Sequence, residues 1–348
     1  MTQDTRSPGS PDRTASLAGR GGGPGTLPEP SALRCADAAR MRGEPLQASA
    51  VRFSRFLLLE VPGPWGTSAL KGRHLEAGIA RRLADAASAS DTHVLLIRRV
   101  GRPPAASGTG TGALAWALAD TSPGAECVQW GAWRDPAELL GLDLTAALPG
   151  AESATGSQRL ALVCTNGKRD QCCAVRGRPV AAAIASAGWD TWECSHLGGH
   201  RFAATIMLLP TGDMFGWLDP DSAAGVMRRF DAGQLTLSHY RGRCGQPVPV
   251  QAALHAAAVR LGEFRRGAIR ASWARPVPAG RSGGLPERAP DDADRWEVGL
   301  IHQSGEGSEA AYLVVLEGAA LAPTFLSCGD GVPKTETYYE TRSFSRVP

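Results

Sequence analysis

Two short stretches concentrate the side chains that can bind metals. The first is CTNGKRDQCC, from Cys164 to Cys173, and the second is SHLGGH, which ends at His200. Together they hold three of the eight cysteines and two of the seven histidines in the chain. Thiolate and imidazole groups are ligands for zinc ions and iron–sulfur clusters, and thiols are also redox groups. The two stretches therefore indicate metal binding or thiol chemistry.

The spacing within each stretch narrows the kind of site. Cys164 and Cys173 form a C-x8-C pair, far longer than the C-x2-4-C knuckle of a structural zinc site, so the loop between them can surround more than one ion. Gly198 and Gly199 separate His196 from His200, which predicts a loop rather than a helix. Glycines there would let backbone N–H groups approach a metal-bound sulfide.

The elements around these stretches follow the order βαββα. A strand over RLALVCT is followed by a helix over RPVAAAIASAG, which ends at a glycine, and by a strand over WDTWECS. Two further strands, FAATIMLLP and MFGWLD, flank the turn TGD, and a helix begins near the proline of PDSAAGVMRRF.

The same order occurs about a hundred residues earlier. It consists of a strand in FLLLEV, a helix in HLEAGIARRLADAA, a strand in THVLLIRR, a hairpin from GALAWALAD to CVQWGAW, and a closing helix in DPAELLGLDL. The fold class expected is α/β, with duplicated thioredoxin-like βαββα modules in a mixed sheet. The corresponding loops of the first copy contain no cysteine, so any metal site should belong to the second copy alone.

In the second copy, the chemistry-bearing residues fall at the ends of two strands. Cys164 ends the first strand and Cys173 stands at the entry to the helix, while His196 and His200 follow the second strand. The carboxyl ends of adjacent parallel strands meet at one edge of an open α/β sheet, where such folds place their sites. Four ligand-type side chains are thus expected to converge from two loops.

Composition divides the chain into four parts. Residues 1–34 are rich in Gly, Pro and Ser and are expected to form a disordered tail. Residues 35–150 form the first module, without metal ligands, and residues 151–240 form the second module, which carries the four ligand-type residues. Residues 241–348 form a C-terminal extension with a helix in QAALHAAAVRLGEF and small β-strands in WEVGLIHQ, AAYLVVLE and TFLSCGD. Whether these strands extend the sheet of the second module or form a separate flap is left open.

LALVCTNGKRDQCCAVRGRPVAAAIA, together with WECSHLGGHRFAATIMLLPTG, resembles the sucrase/ferredoxin-like family, whose metal-binding part is a thioredoxin-like ferredoxin domain. The resemblance runs from about Cys35 to HYRGRCGQP. It implies a [2Fe-2S] cluster, with Cys164, Cys173, His196 and His200 as its ligands.

The same resemblance bears on residues around the ligands. Asn166 stands where members of the family often have a histidine outside the ligand set, a departure that concerns a supporting contact and not the ligands. Arg201, Lys168 and Arg169 are candidates for donating to the cluster sulfurs or offsetting its charge. The family name also implies sucrose cleavage, but no pair of carboxylates is placed for that reaction and no catalytic residue is assigned.

Three functions are compatible with these residues. The preferred one is one-electron transfer by a [2Fe-2S] protein, in which a redox partner, a reductase or an acceptor, completes the reaction. The second is a structural zinc protein that uses the same four ligands. The third is a thiol oxidoreductase that uses Cys172 and Cys173, although a C-x-x-C motif is absent and neighbouring cysteines make a strained disulfide.

Charge and hydropathy limit the partners and the location. The formal net charge is only +3, and 37 basic residues are interleaved with 34 acidic ones, which argues against a nucleic-acid surface. No apolar run reaches the length of a membrane span, and the first residues lack a signal sequence, so a cytoplasmic protein is expected. The duplication makes a monomer one option. It leaves open whether the first module replaces a dimer partner.

Overall fold

The structure, a computed structural model, describes residues 34–71, 74–101, 112–148, 159–277 and 294–348. The predicted disordered tail, residues 1–34, lies outside these ranges except for Arg34. Residues 34–348 cluster as one unit.

A nine-stranded mixed sheet forms the centre of the fold. Its strands are, in chain order, β1 (Arg55–Glu60), β2 (Thr92–Arg99), β3 (Leu114–Asp120), β4 (Cys127–Trp133), β5 (Leu160–Cys164), β6 (Asp190–Cys194), β7 (Ile206–Leu209), β8 (Asp213–Phe215) and β9 (Tyr240–Arg243). Across the sheet they lie in the order β4-β3-β1-β2-β6-β5-β7-β8-β9.

The two halves of this sheet repeat one topology. In the first half β1 is parallel to β2 and antiparallel to β3, and β3 is antiparallel to β4. In the second half β5 is parallel to β6 and antiparallel to β7, and β7 is antiparallel to β8. Antiparallel pairing of β2 with β6 joins the halves, and β9 adds a strand beside β8. The predicted duplicated thioredoxin-like modules are therefore confirmed.

Five helices accompany the strands in the part of the chain that the structure describes. They are α1 (Cys35–Met41), α2 (Ala77–Ala89), α3 (Gln171–Ser186), α4 (Pro220–Asp231) and α5 (Val248–Leu261). The predicted closing helix of the first module is wrong in type, because Pro136–Gly141 forms a short 3-10 helix instead.

Helix α3 begins earlier than RPVAAAIASAG predicted. The Asp170 side chain accepts a hydrogen bond from the Cys172 N–H and caps the helix, so that helical structure starts at Gln171. Cys172 and Cys173 therefore lie in the first turn of α3.

The central strands are buried on both faces. Phe56, Leu57, Leu58 and Leu59 of β1 are fully buried, as expected for an uninterrupted apolar strand with parallel pairing. On one face of the sheet the apolar side chains of both modules form a single core, which includes Leu58 and Leu162. On the other face each module has its own core, with α2 packed on the first and α3 and α4 on the second.

The sheet curls so that strands distant in its order approach each other. Trp130 of β4 stacks on Trp192 of β6, with ring centroids 5.5 Å apart. The Arg243 guanidinium, at the end of β9, donates to the Thr121 carbonyl at 2.8 Å. It also pairs at 2.5 Å with Glu126, the residue directly before β4. The face that carries the shared core is thereby turned inward.

The C-terminal region forms its own antiparallel sheet. It contains β10 (Ile269–Pro276), β11 (Arg295–Gln303), β12 (Glu309–Ala320) and β13 (Thr337–Val347) in that spatial order, and α5 packs on it. This resolves the open alternative in favour of a separate sheet. The predicted strand TFLSCGD is wrong, since this segment lies in the connection between β12 and β13 with Thr324 in an isolated bridge to Lys334. The four-part domain division stays a prediction.

Among the described residues, no helix combines the length and apolar character that crossing a bilayer requires.

Trp192 provides a test of the packing between the modules. Its ring is 1% exposed and lies between the Trp130 ring and the Arg99 guanidinium, which is 3.9 Å from the ring centroid. We expect Trp192→Ala to lower the free energy of unfolding by about 3–5 kcal/mol, because a large cavity would remain. Urea unfolding measures this loss. The control is Trp273→Ala on β10, whose side chain is 45% exposed; an equal loss there would contradict the role assigned to Trp192.

Candidate metal centre

Strand β5 delivers the first cysteine of the site. Cys164 is its last residue, and the Cys164 N–H donates to the Thr205 carbonyl at 3.1 Å. The chain then turns at Asn166, whose carbonyl accepts from the N–H groups of Arg169 and Asp170. This turn and the Asp170 cap place Cys173 in the first turn of α3, beside the end of β5.

The first module holds the second loop of the site in position. Ser195, directly after β6, exchanges hydrogen bonds with Leu96 of β2: its N–H donates to the Leu96 carbonyl at 2.9 Å, and its hydroxyl accepts from the Leu96 N–H at 3.0 Å. Gly198 and Gly199 have φ of +71° and +65°, a conformation that favours glycine. A 3-10 turn, His200–Phe202, completes the loop.

All four predicted ligand residues are brought together. The Cys173 Sγ atom lies 3.2 Å from His200 Nδ1, and the rings of His196 and His200 stack with centroids 4.4 Å apart. Cys173 and His196 lie close enough to Cys164 to lower the pKa of its thiol. Cys164 and Cys173 are each 1% exposed and His200 is 7% exposed, whereas His196 is only half-buried. The site is therefore closed on the cysteine side and more open beside His196.

The electrostatics of the site favour ligand forms of these groups. A hydrogen bond from Cys173 and the nearby imidazoles lower the pKa of Cys164 well below its ordinary value, while the proximity of Cys164 raises the pKa of Cys173. One of these two thiols therefore ionises readily to a thiolate. Burial, with a contribution from His196, lowers the pKa of His200 to about 4, so its imidazole is neutral at pH 7. Metals bind thiolate sulfur and neutral imidazole.

The donor set fits the group that the family resemblance implies. His196 Nδ1 is buried, and no side chain or backbone group of the described residues satisfies it. An unpartnered buried nitrogen is costly unless a ligand occupies it. Cys173 and His200 also form, with Asp170, a group whose ligand atoms lie within 4.8 Å of one another. Two sulfurs and two imidazoles are donors for either a zinc ion or a Rieske-type iron–sulfur cluster.

The three predicted supporting residues have different positions. Arg201 is buried and engaged by two carboxylates: its Nε lies 2.7 Å from Glu44, and its terminal nitrogen pairs with Glu336. Lys168 and Arg169 are exposed at the turn between β5 and α3, and the charge of Arg169 acts on His200. Asn166 donates at 2.8 Å to the Gly66 carbonyl of the first module, which gives this departure from the family pattern a structural contact.

Arg241 is a supporting residue that sequence reasoning missed. It is 1% exposed. It donates at 3.1 Å to the Gly198 carbonyl in the histidine loop, the segment 195–200 that carries both histidines, and at 3.0 Å to the Ser49 hydroxyl. Burial, and then the positive charge of Arg201, lower its pKa to about 9, whereas Cys164 and Cys173 act in the opposite direction. Arg241 lies in HYRGRCG, and in the sequence nothing distinguishes it from the other arginines.

The family profile described as sucrase/ferredoxin-like matches residues 46–242, more than half of the 348 residues. The chain therefore belongs to the sucrase/ferredoxin-like family. The matched region includes both loops of the candidate metal centre. No curated protein matches this chain, and no solved structure matches it either.

Gly199 provides a test of how tightly the histidine loop is held. A Cβ atom at this position would lie 2.4 Å from an Arg241 nitrogen and 2.9 Å from its Cζ. We expect Gly199→Ala to lower the free energy of unfolding by more than the roughly 1–2 kcal/mol that positive φ alone costs an alanine, because the buried arginine must also move. Chemical denaturation of the metal-free protein measures the difference.

Gly233→Ala is the matched control. Gly233 also has positive φ, +74°, but nothing lies within 4 Å of an added Cβ. Equal losses for the two variants would show that the Arg241 contact does not constrain the loop.

Proposed function

We propose that the protein is a one-electron carrier with a [2Fe-2S] cluster bound by Cys164, Cys173, His196 and His200. The observation that carries this proposal is the convergence of these four side chains from two loops, with His196 Nδ1 buried and unpartnered among the described residues. Membership of the sucrase/ferredoxin-like family supports it. Such a cluster supplies one-electron redox chemistry when bound.

The residues around the site would separate the ligands from water and leave one side accessible. Cys164 and Cys173 are buried in the core that both modules share. His196 and the two glycines after Leu197 are half-buried, so the histidine side is where a partner can approach most closely. Lys168 and Arg169 add exposed positive charge in the turn between β5 and α3, and the charge of Arg169 acts on His200, which favours a redox partner with an acidic contact surface.

The thiol oxidoreductase alternative is disfavoured by the directions of two neighbouring side chains. Cys173 Sγ contacts His200 Nδ1 at 3.2 Å, whereas Cys172 Sγ contacts the thiols of Cys328 at 3.3 Å and Cys35 at 3.6 Å. The two thiols thus belong to different groups of residues. A disulfide between them would require both to leave these contacts and would be strained.

The metal content of the protein tests the proposal directly. Protein purified without air should be red-brown and contain about two irons and about two acid-labile sulfides per chain. Iron, sulfide and zinc are measured together on the same sample. A colourless protein with zinc bound through Cys164 and His196 would instead establish the structural zinc alternative.

Cysteine variants test which thiols bind the cluster. Cys164→Ser and Cys173→Ser should lose most of the iron, because each removes a proposed ligand. Cys194→Ser should keep it: Cys194 lies opposite Cys164 in the β5–β6 register and is equally buried, and burial raises the pKa of its thiol. Cys172→Ser should also keep the iron. Loss of iron in Cys172→Ser with retention in Cys173→Ser would show that the ligand register is wrong by one residue.

A further inference from the structure

Three thiols meet at the N-terminal end of α3, outside the proposed cluster ligands. Cys35 is the first residue of α1, Cys172 lies in the first turn of α3, and Cys328 lies in the connection between β12 and β13. Their sulfur atoms form a triangle with sides of 3.6 Å (Cys35–Cys172), 3.3 Å (Cys172–Cys328) and 3.5 Å (Cys328–Cys35). Cys35 and Cys172 are buried, and Cys328 is exposed.

A carboxylate completes this group. Asp170 is 2% exposed, and its Oδ2 and Oδ1 atoms lie 3.6 Å and 3.8 Å from Cys35 Sγ. The carboxylate also accepts from the N–H groups of Cys172 and Cys328, each at 2.8 Å, and from the Ser327 hydroxyl at 3.0 Å. These hydrogen bonds fix the carboxylate against the start of α3 and against the β12–β13 connection. A carboxylate offers about four acceptor sites, so it retains capacity for a further partner.

The separations are close to those that a single tetrahedral ion requires, and small outward shifts of the thiols would accommodate it. Zinc lies about 2.3 Å from thiolate sulfur and about 2.0–2.2 Å from carboxylate oxygen, so tetrahedral geometry requires about 3.8 Å between sulfurs and about 3.5 Å between sulfur and oxygen. The observed sulfur separations are 3.3–3.6 Å, and the nearer sulfur–oxygen separation is 3.6 Å. In an iron–sulfur cluster the protein ligands are divided among two or more irons, and thiols on different irons would lie farther apart than these three do.

The surroundings favour the negative charge that such a ligand set carries. Cys172 and the Asp170 cap occupy the N-terminal end of α3, a helix of 16 residues, where the helix dipole places partial positive charge. Cysteines in this position form thiolates more readily. Three thiols and a carboxylate in mutual contact are otherwise an unfavourable arrangement, because any thiolate formed there repels the carboxylate.

We propose that Cys35, Cys172, Cys328 and Asp170 form a second metal site that binds one zinc ion. The site joins α1, the start of α3 and the β12–β13 connection, and its outer ligands are 293 positions apart in the chain. Because Cys172 and Cys173 are consecutive, the zinc ion would also fix the helix turn that holds a ligand of the metal centre. The proposal does not depend on the identity of the group bound by Cys164, Cys173, His196 and His200.

Two variants distinguish this site from the metal centre. Cys328→Ala should lose about one zinc per chain and keep its iron, whereas Cys164→Ser should lose iron and keep the zinc. Cys328 is the variant of choice because it is exposed and not adjacent to a proposed cluster ligand. Cys127→Ala, a buried cysteine in β4, is the control and should keep both metals. Zinc retained at wild-type level in Cys328→Ala would overturn the proposal.

A measurement on the wild-type protein avoids any dependence on variants. Modification of Cys328 by iodoacetamide, followed by mass spectrometry of peptides, should be slow in the purified protein, at least tenfold faster after zinc chelation, and slow again when zinc is restored. Cobalt added to the zinc-depleted protein should give the strong visible bands of tetrahedral thiolate coordination. Equal modification rates with and without zinc, or a disulfide among the three thiols in zinc-free protein as purified, would overturn the site.

Discussion

The pairing of β2 with β6 is the constraint on which the rest of the structure depends. It joins the edge strands of two thioredoxin-like halves, with Ile97, Arg98 and Arg99 opposite Cys194, Glu193 and Trp192. Two exposed edges, which would otherwise offer unpaired backbone groups to other chains, are thereby removed. The same pairing places β2 beside the chain that leaves β6, and so beside the histidine loop.

The first module, which has no cysteine in the corresponding loops, thus has a structural role at the candidate metal centre. Leu96 holds Ser195 through two hydrogen bonds, and Gly66 accepts from Asn166. Arg98 pairs with Glu193, whose carboxylate also accepts from Thr165 at 2.8 Å. Both loops of the candidate metal centre are therefore held in place by the first module, within one chain.

Helix α3 connects two groups of metal-type ligands. Its first turn directs Cys173 toward His200 and Cys172 toward Cys35 and Cys328, and the Asp170 cap contacts the second group directly. Consecutive residues of a helix point about 100° apart, and here the two neighbouring thiols face different groups of residues. A CC pair at this position therefore provides one thiol to each side of the helix start.

The sequence by itself determined the order of strands in both modules and the two loops that carry Cys164, Cys173, His196 and His200. These features are encoded locally, by apolar runs of strand length, by glycine and proline at their ends, and by ligand-type residues directly after two strands. Only the tertiary structure decided the β2–β6 junction, the addition of β9, the buried position of Arg241 and the meeting of Cys35, Cys172 and Cys328. Each of these depends on contacts between segments far apart in the chain, and a lone cysteine or arginine has the same local pattern whether or not such a contact exists.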